Sequence, residues 1–256
     1  MDDKIRRIMP RFRYGNILPH AGGPVHRGPG YQFYRLVPRD IMELATVLGL
    51  KDYGRDAVER AIENFWRCVE LLAREKADVI VLGGVPISAQ LGRARVLELI
   101  AETKQRFSVT LDAPLEAVLA GMKALGVKTI AVGSRWGEET NRAVGRYLEE
   151  GGLKVAGLTS RGQGAREAAG MSFDEGLEIA LEVAREASRS YPKAEAIFVP
   201  GAAAMSLHAI LAVEEEFGKI GVTNLSAEVW NNLVRPGIIA PIHGWGKLLA
   251  TVADKR

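Results

Sequence analysis

Apolar positions along the chain fall into two alternating patterns. Short, nearly continuous apolar runs at 14–18, 79–82, 107–111, 129–132, 154–158, 196–199 and 221–224 read as strands covered on both faces. Between them, longer stretches with apolar residues at helical spacing predict helices over 56–76, 113–125, 138–150 and 173–190. Ser172 and Glu175 have the spacing of a capping box, and Gly126 and Gly151 stand where helices should stop. The order strand, helix, strand, helix predicts the α/β class with parallel sheets, doubly wound if the crossovers are right-handed.

A weak internal repeat refines this expectation. The segment from Ala77 to Gly84, ADVIVLGG, resembles that from Ala194 to Gly201, AEAIFVPG, and each leads into small residues and a helical pattern. The repeat predicts two pseudo-symmetric lobes, each a parallel sheet flanked by helices, with the active site in the cleft between them. The expected division is 1–112 with 223–256 for the first lobe and 113–222 for the second. Ligands of open parallel sheets bind outside the carboxyl ends of the strands, so Gly84 and Gly201 should stand on opposite walls of the cleft.

Composition narrows the class. At 256 residues, 47% hydrophobic and 25% charged, the chain has the make-up of a globular protein with a sizeable core. Its apolar runs are too short for a membrane helix. The 34 basic and 31 acidic residues are interspersed, which reads as a solvated surface and argues against a nucleic-acid partner. The stretch MDDKIRRIMPRFRYGN has no apolar core of a secretory signal, so the expected compartment is the cytoplasm. The single cysteine, Cys68, lies in a helical apolar pattern and reads as core. His20, His26, His208 and His243 lack the spacing that sets two ligands on one helix face, so no metal site is expected. Self-association is left open, because no interface can be read from one sequence.

Five segments fall at predicted strand ends: 19–23, 83–88, 112–116, 133–136 and 200–204. Their small residues let a ligand approach the backbone, and glycine turns before a helix can present N–H groups to an anion. No Walker sequence and no G-x-G-x-x-G occurs, so neither ATP nor a dinucleotide is expected as cofactor.

With these segments in order, the chain resembles the aspartate/glutamate racemase superfamily and, within it, the arylmalonate decarboxylase and maleate isomerase branch. The matching stretches are Leu18-Pro19, 77–92, 119–141 with Lys123-Ala-Leu-Gly-Val127 and Trp136-x-x-x-x-Asn141, and 196–210. Trp230 and Gly244-Trp-Gly-Lys247 follow near the C-terminus. The resemblance implies a two-lobed cleft that binds a small carboxylate or carbonyl compound. The implied chemistry is cofactor-independent decarboxylation or proton transfer next to the carboxylate.

The chain departs from that family at its reactive positions. Racemases and maleate isomerases of the family carry a cysteine in each lobe and the decarboxylases keep the second, whereas the matching positions here are Gly84 and Gly201. Chemistry that needs a thiolate is therefore disfavoured. A Thr-Ser pair that donates to a carboxylate is replaced by Val85-Pro86, which leaves Ser88 as the nearby hydroxyl. The family's pocket tyrosine falls at Trp136, and the preceding Arg135 could compensate as a carboxylate fork. The substrate-binding set expected from this comparison is Gly84, Val85, Pro86, Ser88, Arg135, Trp136, Gly201 and Ala202.

For acid and base work the sequence offers His20, Glu116, Asp112, Glu228 and His243. His20 stands at the first strand end and brings an imidazole, the side-chain type suited to proton transfer near neutral pH, and Glu116 stands where the family carries a hydroxyl. These two are the catalytic candidates. Asp112 reads as a helix N-cap, Met205 as core, Trp230 and Trp245 as packing, and His208 as a surface or interface residue. Three readings follow. The first is a decarboxylase-like or isomerase-like enzyme whose enediolate is stabilised by N–H donors of the glycine loops. The second is a hydrolase or hydratase in which Glu116 or His20 activates water on an amide, imide or enamide. The third is a non-catalytic small-molecule-binding relative.

Overall fold

A computed structural model describes residues 9–20 and 28–252. Strand β1 (Phe12–His20) leads to α1 (Gly28–Leu36), β2 (Ile41–Leu50), α2 (Arg55–Ile62), α3 (Phe65–Arg74) and β3 (Val79–Leu82). Then come α4 (Val85–Leu91), α5 (Arg93–Phe107), β4 (Thr110–Asp112) and α6 (Pro114–Ala124). The second sheet is built from β5 (Thr129–Val132), β6 (Lys154–Leu158), β7 (Ala196–Phe198) and β8 (Ile220–Val222). Its connections are α7 (Glu138–Glu150), α8 (Ala165–Gly170), α9 (Phe173–Ser190), short 3-10 turns at Ala202–Ala204 and Ser206–His208, and α10 (Ala209–Phe217). The chain closes with α11 (Asn224–Val229), a π turn at Trp230–Val234 and α12 (Lys247–Ala250).

Both sheets are parallel and share one topology, β2-β1-β3-β4 in the first and β6-β5-β7-β8 in the second. The pseudo-symmetry expected from the repeat is therefore present in the strand order itself. In such a sheet the connections diverge between the first and third strands, and the loops leaving those strands open a crevice. In the first sheet the end of β1 at Pro19-His20 and the turn Gly83-Gly84 after β3 mark that point. In the second the loops Gly133 to Trp136 and Val199 to Gly201 mark it.

Alternation along the strands divides the core. Ile17, Ile80, Leu82 and Leu111 pack outward with Val58, Phe65, Val69 and Leu72 of α2 and α3 and Leu99 of α5. On the second sheet Ala131, Ile197 and Val199 pack with Val183, Ala184 and Val213 of α9 and α10. The inner faces do not form separate cores. Tyr14, Val79 and Val81 of the first sheet share one cluster with Ile130, Val132 and Phe198 of the second, joined through Leu115, Val118 and Met122 of α6. Each such side chain contributes about 1.5–3 kcal/mol when fully buried, so the shared layer ties the lobes together.

The remaining differences from expectation have local causes. The helix expected over 56–76 is broken by a turn at Glu63 and Asn64 into α2 and α3. Phe107 is not in a strand but ends α5, which Ser108 stops at φ 57°, so β4 begins later. Asn224 likewise opens α11 rather than closing β8, because Thr223 caps that helix by accepting from Ser226 N–H at 3.0 Å. Ala113, not Asp112, is the N-cap of α6. The capping box of α9 forms as expected, with Ser172 Oγ accepting from Glu175 N–H at 3.2 Å and the Glu175 carboxylate accepting from Ser172 N–H at 2.8 Å.

Candidate functional site

The turn after β5 is clamped from several sides. Trp136 C=O accepts from Asn141 Nδ2 at 3.2 Å and from Ser160 Oγ at 2.7 Å, which gives the Trp-x-x-x-x-Asn spacing a structural meaning. Trp136 N–H donates to Ser134 Oγ at 3.1 Å, and Arg135 C=O accepts the N–H groups of Arg161 and Gln163 at 3.2 and 3.0 Å. With its backbone fixed by these bonds, Arg135 is only 3% exposed.

Its guanidinium lies beside Gly201. A Cβ built on Gly201 would stand 3.7 Å from Arg135 Nε and 3.6 Å from the Trp136 ring, with φ at +96°. The loops at the second sheet's switch point thus converge on one spot. Tyr53, in the turn after β2, reaches the same spot from the first lobe. Its ring meets that of Trp136 edge to face at 6.2 Å, and its phenol oxygen accepts from Arg135. Burial raises the Tyr53 hydroxyl above its ordinary range despite the adjacent cation, so it stays a neutral phenol. The carboxyl ends of the two sheets therefore face one another, as the repeat predicts.

The polar groups here are incompletely satisfied. Among the described residues, Arg135 Nε and Nη1 and Trp136 Nε1 are buried without a hydrogen-bond partner and no carboxylate is in ion-pair contact with Arg135, though the Glu167 carboxylate is near enough to feel its charge. A buried guanidinium with unmatched donors is costly, and a planar anion matches two of its N–H groups at once.

The other expected residues distribute as follows. Gly84 has φ +100°, and a Cβ there would press on Pro19 at 3.3 Å, so the end of β1 touches the turn after β3. Val85 and Pro86 are buried in the first turn of α4, and Ser88, on the same helix, is fully buried with its hydroxyl unpartnered. Ala202 C=O accepts from Gln32 Nε2 at 2.6 Å, and Gln32 Oε1 accepts Leu207 N–H at 2.9 Å, pinning the loop after β7 to α1 of the first lobe. The Gly201 N–H does not point into the cleft as a free donor, as the glycine-loop expectation requires. It donates to Asn224 Oδ1 at 3.0 Å, which shifts the burden of holding an anion toward Arg135. His20 ends β1, and its side chain lies outside the described residues, as does His26.

Glu116 is brought to a different place from the Arg135 cluster. In the first turn of α6, its carboxylate takes a two-pronged contact from Arg93 at 2.8 and 3.3 Å, and Arg93 also donates to Glu150 C=O at 3.2 Å. Tyr147 lies against this pair, and burial first, then the Glu116 charge, drives its hydroxyl far above the ordinary range. Asp112 accepts from Ala113 N–H at 2.8 Å, Asn231 at 3.0 Å and Asn232 at 2.6 Å, which binds the C-terminal segment to the first sheet. Burial nonetheless raises its carboxyl above the ordinary range. Cys68 is buried in α3 with Sγ donating to Val47 C=O at 3.4 Å, and burial raises its thiol. Met205 is core, as expected, while His208 is half-buried with its ring edge to face against Trp245 at 5.4 Å.

Sequence reasoning missed Tyr53, Gln32 and Asn224. Tyr53 and Gln32 carry no local signal. Asn224 follows a strand and a capping threonine, a position from which a side chain can reach a neighbouring strand end.

The arylmalonate decarboxylase family profile matches residues 14–249. Arylmalonate decarboxylase of Bordetella bronchiseptica is 26% identical over 235 residues, 91% of this chain and 95% of that protein. A liganded arylmalonate decarboxylase variant, with one glycine changed to cysteine and one cysteine to serine, matches with a TM-score of 0.82 at 25% identity, covering 93% of this chain and 98% of that one. A maleate isomerase from Pseudomonas putida matches with a TM-score of 0.77 at 19% identity, covering 93% and 98% of the two chains, a likeness of fold. Among the described residues no helix is long and apolar enough to cross a membrane.

Proposed function

The chain belongs to the arylmalonate decarboxylase family, and from that premise we propose that its inter-lobe cleft catalyses cofactor-independent decarboxylation or proton transfer next to the carboxylate of a small substrate, without a thiol. The observation that carries this reading is Arg135, a buried guanidinium beside Gly201 whose Nε and Nη1 lack partners. Substrate carboxylate would supply both acceptors in a fork geometry. The lobes in this reading are 1–112 with 223–256 and 113–222.

The chemistry follows from where charge builds. When the bond to a departing carboxylate breaks, its electron pair passes to the adjacent carbon and delocalises into the retained carboxylate as an enediolate. CO2 leaves and one proton returns to the carbon. Proton transfer without CO2 loss passes through the same enediolate. Negative charge on the retained oxygens is greatest in the transition state, where a fixed cation in a water-poor site acts most strongly. Arg135, with the Trp136 indole N–H as a further donor, is the group placed for this.

Gly84 and Gly201 stand for the two family cysteines, and Cys68, buried against β2 with its thiol raised, supplies no thiolate to the cleft. His20, at the carboxyl end of β1, is the proposed proton donor. The Arg93 contact gives Glu116 a positioning role at the start of α6 rather than the role of a free base. Proton NMR in D2O with malonate and arylmalonates tests the reading. Loss of CO2 or entry of deuterium next to a carboxylate is expected in the intact protein, abolished in Arg135→Met and strongly reduced in His20→Asn. Full turnover in Arg135→Met would overturn it.

A further inference from the structure

The path of the chain from the second sheet back to the first carries polar groups that the proposed reaction does not use. Asn224 accepts the Gly201 N–H through Oδ1 at 3.0 Å and donates through Nδ2 to Glu228 Oε1 at 3.3 Å. Residues four apart share a helix face and side chains lean toward the N-terminus, so the Glu228 carboxyl is carried back to the Asn224 end of α11. Among the described residues, the titratable groups facing Glu228 are Asp112 of β4, Glu43 of β2 and Tyr14 of β1, and none is a cation. Asp112 is held by three N–H donors, whereas Glu228 receives the single Asn224 bond. Donated hydrogen bonds favour the ionised form, so Glu228 is the member of this carboxyl pair that keeps a proton.

We propose that neutral Glu228 is a positioning residue of the cleft: it fixes the Asn224 amide, and that amide fixes the Gly201 turn beside Arg135. The inference rests on the reading of Gly201 as a wall of the active site and adds a pH-dependent element to it. Burial, reinforced by Asp112 and Glu43, holds the Glu228 carboxyl protonated up to about pH 8. Its ionisation would set a further negative charge beside Asp112, and among the described residues no cation faces it to balance that charge. That repulsion is relieved when α11 shifts from the first sheet or admits water, and Asn224 then moves with it.

The Gly201 peptide nitrogen reports this directly. Labelling proline carbonyl carbon and glycine nitrogen selects only Pro–Gly bonds, those of Gly30, Gly201 and Gly237. Carbon-detected spectra follow them at high pH without the amide proton, and Asn224→Ala identifies the Gly201 signal by removing its hydrogen bond. The wild-type Gly201 signal is expected to titrate with a midpoint near pH 8. In Glu228→Gln, where the side-chain oxygen still accepts from Asn224, it should keep its neutral-pH position and stay flat. A flat wild-type signal, or a titration that survives Glu228→Gln, would overturn the proposal. The readout needs no turnover: an inactive protein with a titrating Gly201 contradicts the functional reading alone, and an active one with a flat Gly201 contradicts this coupling alone.

Discussion

Replacing Arg135 by methionine separates binding from folding. The guanidinium is 3% exposed and leaves Nε and Nη1 unpartnered, so it gains little from the folded protein beyond its bond to Tyr53. Methionine fills similar apolar volume and removes the cost of an uncompensated buried charge, a change that is often neutral or stabilising. The lost Tyr53 contact, itself charge-assisted, offsets this by about 1.5–3 kcal/mol, so the two changes nearly cancel. Ligand binding should behave otherwise. One charge-assisted hydrogen bond is worth about 1.5–3 kcal/mol, so losing even one weakens a carboxylate roughly 10- to 150-fold. A two-pronged contact lies at or beyond the upper end of that range. Isothermal titration with malonate and phenylmalonate, beside calorimetric unfolding of both proteins, reads the two effects separately. Equal affinity in Arg135→Met would refute the assignment. So would a fall in Tm of more than a few degrees, which would make Arg135 a structural residue.

Further outcomes follow from the same geometry. Glu116→Gln breaks a pair whose side chains are 17% and 31% exposed, so it should cost about 1 kcal/mol and lower Tm by roughly 2–4 °C with turnover retained. Lost turnover at unchanged Tm would instead make Glu116 the base. Glu228 is raised from 4.5 to about 8 in the folded state, so the native protein binds more protons than the unfolded chain between those values. Its contribution is fully present below about pH 4.5 and is lost as pH rises through 8, with a slope of at most about 1.4 kcal/mol per pH unit. Urea unfolding of the wild type against Glu228→Gln should isolate this slope as the difference between the two, and parallel curves would contradict it. In Gly201→Cys the new Cβ meets nothing closer than 3.6 Å, so the cost is backbone strain at φ +96°, roughly 1–2 kcal/mol. Arg135 should draw the new thiol below its ordinary range, measured by the pH dependence of alkylation; an elevated midpoint would show that the guanidinium does not face Gly201.

The parts legible in the sequence are those with a local cause. The spans of β3, β5 and β6 agree with the apolar runs, because each is bounded by turn residues and flanked by long amphipathic helices. β2 escaped the pattern: Ile41–Leu50 is a half-buried edge strand rich in leucine, methionine, alanine and glutamate, residues without strand preference or clean alternation. The placement of Arg135, Trp136, Gly84 and Gly201 just after strands was legible, because each follows an apolar run that forms one. The partners that give them meaning were not. Gly201 is tied to Asn224 across 23 positions, Gln32 to Ala202 across 170, and Asp112 to Asn232 across 120. Such contacts arise only when the second sheet hands the chain back to the first, and no local pattern records them. The partner of Glu116 was likewise hidden, since an acidic residue at a helix start says nothing of the Arg93 that pairs with it.

Enediolate chemistry beside a carboxylate without a thiol calls for a test in a protein that contains no cysteine. Cys68→Ala removes the sole thiol of the chain from a buried position in α3. Proton NMR of this variant in D2O with malonate and arylmalonates should show the same CO2 loss or deuterium entry next to the carboxylate as the wild type. Absence of both products in the wild type, or their disappearance only when Cys68 is replaced in a still-folded protein, would contradict the account.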